Sequence, residues 1–530
     1  MNILKKKTTK LGIVALFIVA LTAVSIIYFG GRETAVSVPD NTQAGDLTVE
    51  PCTIEFESGT YDADCGTVIV RENRGKADSR LIALPVTRIH ATSENPAEPI
   101  FFLGGGPGSS NMHIEPFAAI LANNDFVMVG YRGLDGSAVL DCPEVAQAIK
   151  GDGIDVLNEQ SHAGMSAAMR QCAERLQAEG VDLDGYSIQE VIGDMEAVRD
   201  GLGYERINLL SASYGTRVAQ LYANQHPTRI ARSAMMGVNP PGRFVWEPDM
   251  VDAQIEQYAR LYEQTDNPRT ADLTEMMQNI SHNMPERWLF FKIDPGKVKG
   301  TTFSLLFHRD TAAMVFDAWL AAEEGDPSGL ALMSLAYDFV IPNMSVYGEF
   351  FSKGVSADYD ANRDYFSEMD PPDSIIGAPL SKLIWGSATD EDGVTWPTQL
   401  MPAEFLQVHP SDVETLLISG NIDFSTPAEF ATDDLLPALT NGTQVILSEM
   451  GHVNDVMSLQ PKAIARLLTS FYDSGEADDS LFVYEPMDFQ VGRGFPKLAK
   501  IGVGAALALI VVVIGVVWFV VRRVRHAGKI

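Results

Sequence analysis

An apolar run that turns abruptly into a helical pattern constrains this 530-residue chain more than any other feature. It lies at 206–227 and reads RINLLSASYGTRVAQLYANQHP. A serine held in such a strand-turn-helix needs small residues two positions before and after it, because the tight turn brings other backbone close. Ser213 meets this condition, with Ser211 and Gly215 around it, whereas Ser211 itself follows Leu209 at that spacing. The pattern therefore predicts a nucleophilic serine at position 213.

Two segments are predicted to stabilise negative charge beside this serine. The helix after Ser213 would direct its free N–H groups and positive dipole end at the hydroxyl, and Tyr214 would supply one N–H donor. A second donor is expected from the glycine loop GGGPGSS at 104–110, at Gly105 or Gly106. A phosphate-binding loop is the alternative, but the lysine and the serine or threonine of a Walker motif are missing.

A serine nucleophile needs a base, and the base needs an orienting carboxylate. In α/β-hydrolases the chain order is serine, acid, histidine, and both partners follow strands. Asp423 follows the apolar run 415–419, and His452 follows the run 444–447. The sequence therefore predicts Ser213, Asp423 and His452 as a catalytic triad.

Other acids and histidines fit these two roles less well. Asp433 and Asp434 compete with Asp423, but they are predicted to face solvent on the next helix. His226 precedes the acid in the chain, and His526 lies beyond a second long apolar span. Only His452 satisfies the required order.

Strand and helix patterns alternate along the chain, which predicts an α/β fold with a mostly parallel sheet and helices on both faces. Helices are predicted over 161–180 and 187–202, with Asp194, Glu196 and Arg199 on an exposed face. From 242 to 410 helical patterns dominate, so we predict an inserted helical cap, with an independent second domain as the alternative. The two parts of the core are predicted at 51–241 and 411–475, with linkers at 30–50 and 476–500.

Two apolar spans near the ends of the chain are each long enough to cross a bilayer. The span 11–29 follows four lysines, and the span 501–521 precedes three arginines and a lysine. Because positive charge stays on the cytoplasmic side, the tails 1–10 and 522–530 are predicted to be cytoplasmic and the rest extracytoplasmic, on the periplasmic or extracellular side. A cleaved signal peptide is the alternative for the first span, and a core helix for the second.

Composition limits the partners and the compartment. The formal net charge of −31 makes nucleic acid an unlikely partner. Four cysteines fit an oxidising compartment, and the local pairing of Cys52 with Cys65 and of Cys142 with Cys172 is predicted among three possible connectivities, with free buried thiols as the alternative. No CxxC motif or Cys/His cluster suggests zinc, so no metal site is predicted. The sequence leaves the oligomeric state open.

Five segments together resemble the proline iminopeptidase and tripeptidyl aminopeptidase group of α/β-hydrolase serine peptidases. They are GGGPGSS at 104–110, YRGLDGS at 131–137, LGYERINLLSASYGTRVAQLYANQHPTRI at 202–230, SGNIDFSTP at 419–427 and GH at 451–452. The resemblance implies a serine exopeptidase with no metal or organic cofactor, acting on peptides with a free N-terminus. It also implies that cap carboxylates bind the substrate ammonium group, for which the candidates include Glu256, Glu263, Glu323, Glu324 and Glu349.

Three residues depart from the pattern of this group. Gly104 stands where proline iminopeptidases often have histidine, and Gly130 replaces a common aspartate. Both departures weaken the expectation of strict proline specificity. Ser211 replaces the usual elbow glycine but is still small, so the catalytic prediction is unchanged. An esterase or lipase with the same machinery, and a catalytically silent membrane-anchored binding protein on the same fold, are the alternative functions.

Overall fold

A nine-stranded sheet forms the centre of the computed structural model, which describes residues 36–527. The strand order is β1-β2-β3-β5-β4-β6-β7-β12-β13. The strands of this sheet are β1 Leu47–Phe56, β2 Gly59–Arg71, β3 Leu81–Ile89, β4 Ile100–Leu103, β5 Phe126–Val129, β6 Ile207–Ala212, β7 Ile230–Met236, β12 Glu414–Gly420 and β13 Gly442–Leu447. Two short hairpins lie outside it, β8 Arg287–Trp288 with β9 Phe291–Lys292, and β10 Thr389–Asp390 with β11 Gly393–Val394.

Within this sheet, the neighbouring strands β5, β4, β6, β7, β12 and β13 pair in parallel, as the alternating patterns predict. The pairs of β1 with β2, β2 with β3 and β3 with β5 are antiparallel. Phe101 and Leu103 of β4 face one hydrophobic core, and Ile100 and Phe102 face the other. Because successive side chains point to opposite faces, each face of the sheet needs a covering layer of helices.

Fifteen helices of the described residues cover the sheet and build the cap. They are α1 Pro143–Ala148, α2 Glu159–Ala178, α3 Ile188–Gly201, α4 Tyr214–Gln225, α5 Pro248–Tyr262, α6 Leu273–His282, α7 Pro295–Leu305, α8 Arg309–Glu323, α9 Ser328–Val340, α10 Tyr347–Ala357, α11 Tyr365–Glu368, α12 Pro379–Gly386, α13 Val453–Ser458, α14 Pro461–Ser474 and α15 Phe495–Ala527. Helices α5 to α12 fill the interval between β7 and β12. One hydrophobic cluster contains both Val218 of the elbow helix and Trp319 of α8, so this interval shares its core with the sheet.

Both predicted linkers are shorter than expected. β1 begins at Leu47, inside the predicted linker 30–50. Its residues are alternately exposed, since an edge strand has one neighbour and needs no continuous apolar run. Helix α15 begins at Phe495, inside the predicted linker 476–500. Its first turns pack on the cap, where Ser328 Oγ donates to the Pro496 carbonyl at 3.4 Å.

The prediction that Asp194 and Arg199 lie on an exposed face of α3 is wrong, because both residues are buried. Arg132, in the YRGLDGS segment, is fully buried and donates to the two Asp194 carboxylate oxygens at 2.7 Å each. A buried guanidinium without a carboxylate partner would be strongly destabilising. This requirement turns Asp194 inward, and it involves residues too far apart in the chain for a helical pattern to reveal.

The four cysteines form the predicted disulfides. Cys52–Cys65 joins β1 to β2, and Cys142–Cys172 joins the start of α1 to α2. The Cα–Cα distances are 5.8 and 5.5 Å, as expected for disulfides.

One helix in residues 36–527 is long and apolar enough to cross a bilayer, over Phe495–Phe519. Its most apolar 18 residues have a mean hydropathy of 2.8, and only 11% of them are buried, which argues against a core helix. Ser328–Asn343 and Tyr347–Ala357 together pass the same test, but they are bent by 81° and α10 is buried in the cap. The predicted span 11–29 lies outside the described residues.

Candidate active site

Ser213 lies in a strained turn between β6 and α4. Its φ of 53° and ψ of −126° are rare for a residue with a side chain. Its N–H donates to the Met236 carbonyl at 2.8 Å, which ties the turn to the end of β7. Ser213 is partly exposed, whereas Ser211 is fully buried with its Oγ donating to the Ala234 carbonyl at 3.2 Å. Of the two serines in the turn, only Ser213 can reach a substrate.

Gly215 shows why the turn needs small residues. A Cβ at this position would lie 2.1 Å from the Leu103 carbonyl oxygen, because α4 begins directly against β4. We expect Gly215→Ala to lower the free energy of unfolding by about 1–3 kcal/mol, since the clash is with backbone that cannot rotate away. Chemical denaturation of the full chain in detergent measures the loss.

The matched control is Gly164→Ala, in the middle of α2. A Cβ there meets nothing within 4 Å. Alanine is the better helix former, so we expect this variant to be neutral or slightly more stable. Equal stabilities for the two variants would contradict the close packing at the elbow.

The structure brings Asp423 and His452 together at the carboxyl ends of β12 and β13. His452 Nδ1 lies 2.8 Å from Asp423 Oδ2 and 3.0 Å from Oδ1. The same carboxylate accepts hydrogen bonds from the N–H groups of Ser425 and Thr426 and from Thr426 Oγ1, each at 2.9 Å. Since every donor holds it from a different direction, the carboxylate is locked in the orientation that faces the imidazole.

Ser213 and His452 both lie close to the Met236–Gly237 segment. The Ser213 N–H is bonded to the Met236 carbonyl, and His452 Cε1 lies 2.9 Å from the position that a Cβ on Gly237 would occupy. Ser213 Oγ has no hydrogen-bond partner within the described chain. In unliganded hydrolases the bond between nucleophile and base is often long and shortens when substrate binds.

The competing residues do not take part in this arrangement. Asp433 is exposed, and Asp434 accepts from Arg243 Nε at 2.7 Å. His226 ends α4 as its C-cap residue. Asp423 is therefore the acid that contacts His452.

The glycine loop is held at Gly104. The Gly104 N–H donates to Asn111 Oδ1 at 2.7 Å, and Tyr131 Oη donates to the Gly104 carbonyl at 3.0 Å. Gly105 follows directly beside the serine, since a Cβ on it would lie 2.9 Å from Ser213 Cβ and 3.5 Å from Oγ. In the part of the chain that the structure describes, the N–H of Gly105 has no acceptor.

This geometry favours Gly105 over Gly106 as the second oxyanion donor. The atoms nearest a Cβ on Gly106 belong to Gly108 and Ser109, and Ser213 is not among them. Tyr214 is the first residue of α4, where a helical N–H lacks an intrahelical partner. The arrangement leaves two donors near Ser213.

The other end of the loop is held by the cap. Glu349 Oε2 of α10 accepts from the Gly108 N–H at 2.5 Å, and the Val346 N–H donates to the Gly108 carbonyl at 3.0 Å. Glu349 also forms an ion pair with Lys353, and both side chains are fully buried. Lys353 Nζ lies 4.3 Å from the centre of the Tyr131 ring.

Sequence reasoning missed Asn111 and Lys353 and gave Glu349 only as a possible ammonium ligand. The sequence does contain a sign of this buried ion pair, because a glutamate and a lysine lie four residues apart in the otherwise apolar helix YGEFFSKGVSA. The other proposed ammonium ligands, Glu256, Glu263, Glu323 and Glu324, are exposed. Of the five glutamates, Glu349 is the one that touches the glycine loop.

Below pH 7, where folded Lys353 carries its proton, we expect Lys353→Met to lower the free energy of unfolding by about 3–5 kcal/mol, because it leaves the buried Glu349 carboxylate without its cation. The Glu349→Gln/Lys353→Met double variant leaves no unpaired charge and should recover most of this loss. Denaturant unfolding of both variants measures the difference. A double variant as unstable as the single one would show that the pair is not coupled.

Stability should also depend on pH through Lys353. Burial lowers the pKa of its ammonium group from the ordinary 10.5 to about 7, and nearby Arg132 also lowers it while Asp135 and Asp194 oppose this. Between these two pH values the unfolded chain holds a proton that the folded chain has released. The free energy of unfolding should therefore rise with pH from about 7 to 10.5 on account of this group. In Lys353→Met, the free energy of unfolding measured across this pH range should lack this rise.

Cap residues also hold the histidine. The His452 N–H donates to the Phe307 carbonyl at 2.7 Å, and the two rings meet edge to face with centres 5.6 Å apart. Asp455 Oδ2 accepts from the N–H groups of Gly451 and Arg309 at 2.8 and 3.0 Å. The connection between α7 and α8 thereby fixes the loop that carries the histidine.

An aromatic cluster adjoins the histidine. Phe303 packs against Phe307, Trp246 and Phe424, with ring centres 5.0–5.5 Å apart. Trp246 Nε1 donates to the Ser425 carbonyl at 3.1 Å, next to the acid. Phe303 and Phe424 are fully buried, so the apolar surface beside the candidate base comes from the partly exposed Trp246 and Phe307.

A cavity of about 900 Å³ opens between the glycine loop and the start of α10. Residues from both sides line it, among them Gly108, Ser109, Ser110, Asn343, Met344 and Ser345. Neither Ser213 nor His452 lines this cavity, so it adjoins the glycine loop without reaching the candidate triad.

Residues 98–299 match the alpha/beta hydrolase fold family. The chain has the α/β-hydrolase fold. A tripeptidyl aminopeptidase from Streptomyces coelicolor is 24% identical to this chain over 272 residues, which are 49% of this chain and 50% of the relative. The serine protease Hip1 of Mycobacterium tuberculosis is 25% identical over 280 residues, with the same two shares. The chain thus spans about half the length of the curated relatives it matches.

A crystal structure of a serine hydrolase from Cycloclasticus zankles aligns with 81% of this chain and all of its own, at 14% identity and a TM-score of 0.34. The predicted resemblance to the tripeptidyl aminopeptidases is confirmed. Proline specificity stays a prediction.

Proposed function

We propose that this α/β hydrolase is a membrane-anchored serine exopeptidase that releases residues from the free N-terminus of peptides. The observation that carries the proposal is the strained Ser213 near the Asp423–His452 pair, with the serine and the imidazole both next to the Met236–Gly237 segment at the sheet edge. The similarity to tripeptidyl aminopeptidase and Hip1 supports peptides as the substrate class.

The chemistry is acyl transfer. His452 Nε2 takes the proton from Ser213 Oγ, which attacks the substrate carbonyl, while Asp423 accepts from Nδ1–H and holds the imidazole in the required tautomer. The N–H groups of Tyr214 and Gly105 donate to the oxyanion. Protonated His452 then gives its proton to the leaving amine, and water releases the acyl-enzyme by the same steps. These groups suffice without a metal or organic cofactor.

The surroundings of the site suit an apolar residue next to the cleaved bond. Trp246 and Phe307 of the aromatic cluster are partly exposed and offer an apolar surface next to His452. The net charge of −31 attracts the ammonium group of a peptide over a distance. Together they favour peptides with a free N-terminus and an apolar side chain at the acyl position.

The membrane anchor includes α15. Its exposed apolar surface and the four basic residues that follow the apolar span 501–521 in the sequence support insertion with the C-terminus in the cytoplasm. Two disulfides support an oxidising compartment for the catalytic domain. The span 11–29 would give the same orientation from the other end.

Fluorogenic aminoacyl and tripeptidyl amides, each with a free or an acetylated N-terminus, test the proposal on the full chain in detergent. We expect cleavage of the amides with a free N-terminus and little cleavage of the acetylated ones. Faster cleavage of the aminoacyl or of the tripeptidyl amides shows how many residues are released at a time. Preferential hydrolysis of short acyl esters would instead identify an esterase. A lack of reaction between Ser213 and a fluorophosphonate probe would identify a silent binding protein.

A further inference from the structure

The hairpin β8–β9 presents apolar side chains to the outside of the cap. Its sequence, Trp288-Leu289-Phe290-Phe291, lies between Arg287 and Lys292. Leu289 at the tip is 58% exposed and has a φ of 54°, a conformation that costs energy for a leucine. A strained turn that exposes a large apolar residue is unfavourable in water, which favours an external partner for the tip at Leu289.

The hairpin lies beside the beginning of α15. Trp288 and Phe291 line a narrow apolar gap with three residues of α9 and with Ala499 of α15. Ala499 is buried, whereas Ile501, two residues further on, is 55% exposed. The hairpin therefore adjoins the first turns of α15, which are exposed on one face from Ile501, while Val503 and Ala506 are still buried and only 511–519 are exposed on every face.

Basic side chains flank the hairpin although the chain is acidic, and the acidic residues nearby are Glu286, which is exposed, and Asp326, which pairs with Lys500. Arg287 and Lys292 flank the hairpin, are exposed and make no ion pair within the described residues. Lys497, on the first turn of α15, is also exposed. Tryptophan and basic side chains around an apolar tip are the composition that favours the headgroup region of a bilayer, and basic residues there attract anionic lipids.

We propose that the β8–β9 hairpin inserts its tip into the headgroup region of the bilayer that α15 enters, with anionic phospholipid as its ligand. The inference rests on the proposed insertion of α15 and adds a second contact. Two contacts would fix the cap, and with it the cleft beside the glycine loop, at a set orientation to the membrane surface.

Site-specific fluorescence on the full chain tests this contact. All four natural cysteines are in disulfides, so a cysteine placed at Leu289 can be labelled alone with an environment-sensitive fluorophore. The protein is reconstituted into vesicles of phosphatidylcholine and phosphatidylglycerol. Quenching is then measured with aqueous iodide, with lipids that carry a shallow nitroxide and with lipids that carry a deep one.

Two control sites separate the hairpin from the anchor. Val513→Cys labels α15 at an apolar residue that is 53% exposed, and Ile446→Cys labels β13 at one that is 49% exposed. We expect the label at 513 to be quenched by the deep nitroxide and the label at 446 by iodide alone. The label at 289 should lose at least half of its emission to the shallow nitroxide and little to iodide.

Each other result would overturn the inference in a distinct way. Quenching at 289 by iodide would place the tip in water, and protection from all quenchers would mean that protein covers it. A label at 513 that the deep nitroxide does not reach would overturn the anchoring and the hairpin contact together. If 513 is quenched and 289 is not, only the hairpin contact fails.

Charge variants test the lipid preference. In the wild-type background, the shallow nitroxide should quench the label at 289 more strongly in vesicles with phosphatidylglycerol than in phosphatidylcholine alone. Arg287→Gln/Lys292→Gln should lose most of this difference. Arg229→Gln/Lys462→Gln removes two exposed charges from the α/β core and should leave that difference unchanged. An equal response of the two double variants would overturn the role of anionic lipid.

Discussion

Ser213→Ala should lower kcat by about a million-fold on any amide that the wild-type protein cleaves, because the variant lacks the oxygen that forms the acyl-enzyme. The substitution removes one accessible atom from a residue whose Oγ makes no hydrogen bond within the described chain, so folding should be unchanged. Initial rates with the best aminoacyl or tripeptidyl amide measure the loss. Labelling by a fluorophosphonate probe should disappear in parallel.

Ser211→Ala is the matched control for this variant. Ser211 lies two residues away in the same turn, but its hydroxyl is buried and donates to the Ala234 carbonyl. We expect it to keep its activity within a few-fold and to lose about 1 kcal/mol of stability. Activity retained in Ser213→Ala, or lost equally in both variants, would contradict the assignment of the nucleophile.

Asp423→Asn should lower kcat by about ten-thousand-fold while the protein still folds. An amide keeps one oxygen for the N–H groups of Ser425 and Thr426, so the loop is preserved. Its NH₂ group, however, would donate to His452 Nδ1, and the other imidazole nitrogen would then carry the proton. The imidazole could no longer accept the serine proton.

The control for Asp423→Asn is Asp434→Asn, which removes a carboxylate on the surface that pairs with Arg243. We expect wild-type kcat in this control. Comparable losses in the two variants would mean that general charge, and not orientation of the histidine, controls the rate. An active Asp423→Asn would remove Asp423 from the proposed mechanism.

The cap appears in this structure as a part of the catalytic apparatus and not only as a cover. It fixes the end of the glycine loop through Glu349 and Val346, and it fixes the histidine loop through Phe307 and Arg309. Because both loops end at the same sheet edge, motion of the cap would change the oxyanion site and the base together. Substrate contacts in the cap can therefore influence the chemical step.

Several features of this protein follow from local sequence. The strand-turn-helix at 206–227 predicts the elbow because the turn admits only small residues at 211 and 215, as the contact of Gly215 with the Leu103 carbonyl explains. Chain order and strand ends were enough to select Asp423 and His452, since parallel strands end at a common edge. The short separation of the cysteines in the sequence was likewise enough to predict the two disulfides.

Other features depended on the tertiary structure, because they join residues that no local pattern relates. Burial of Asp194 follows from Arg132, and burial of Lys353 follows from Glu349 and the ring of Tyr131. The strand β1 has too few buried residues for an apolar run, so only its pairing with β2 defines it. Periodicity in the sequence specifies which elements form, whereas the partner of a buried charge or an edge strand is decided by the packing of distant segments.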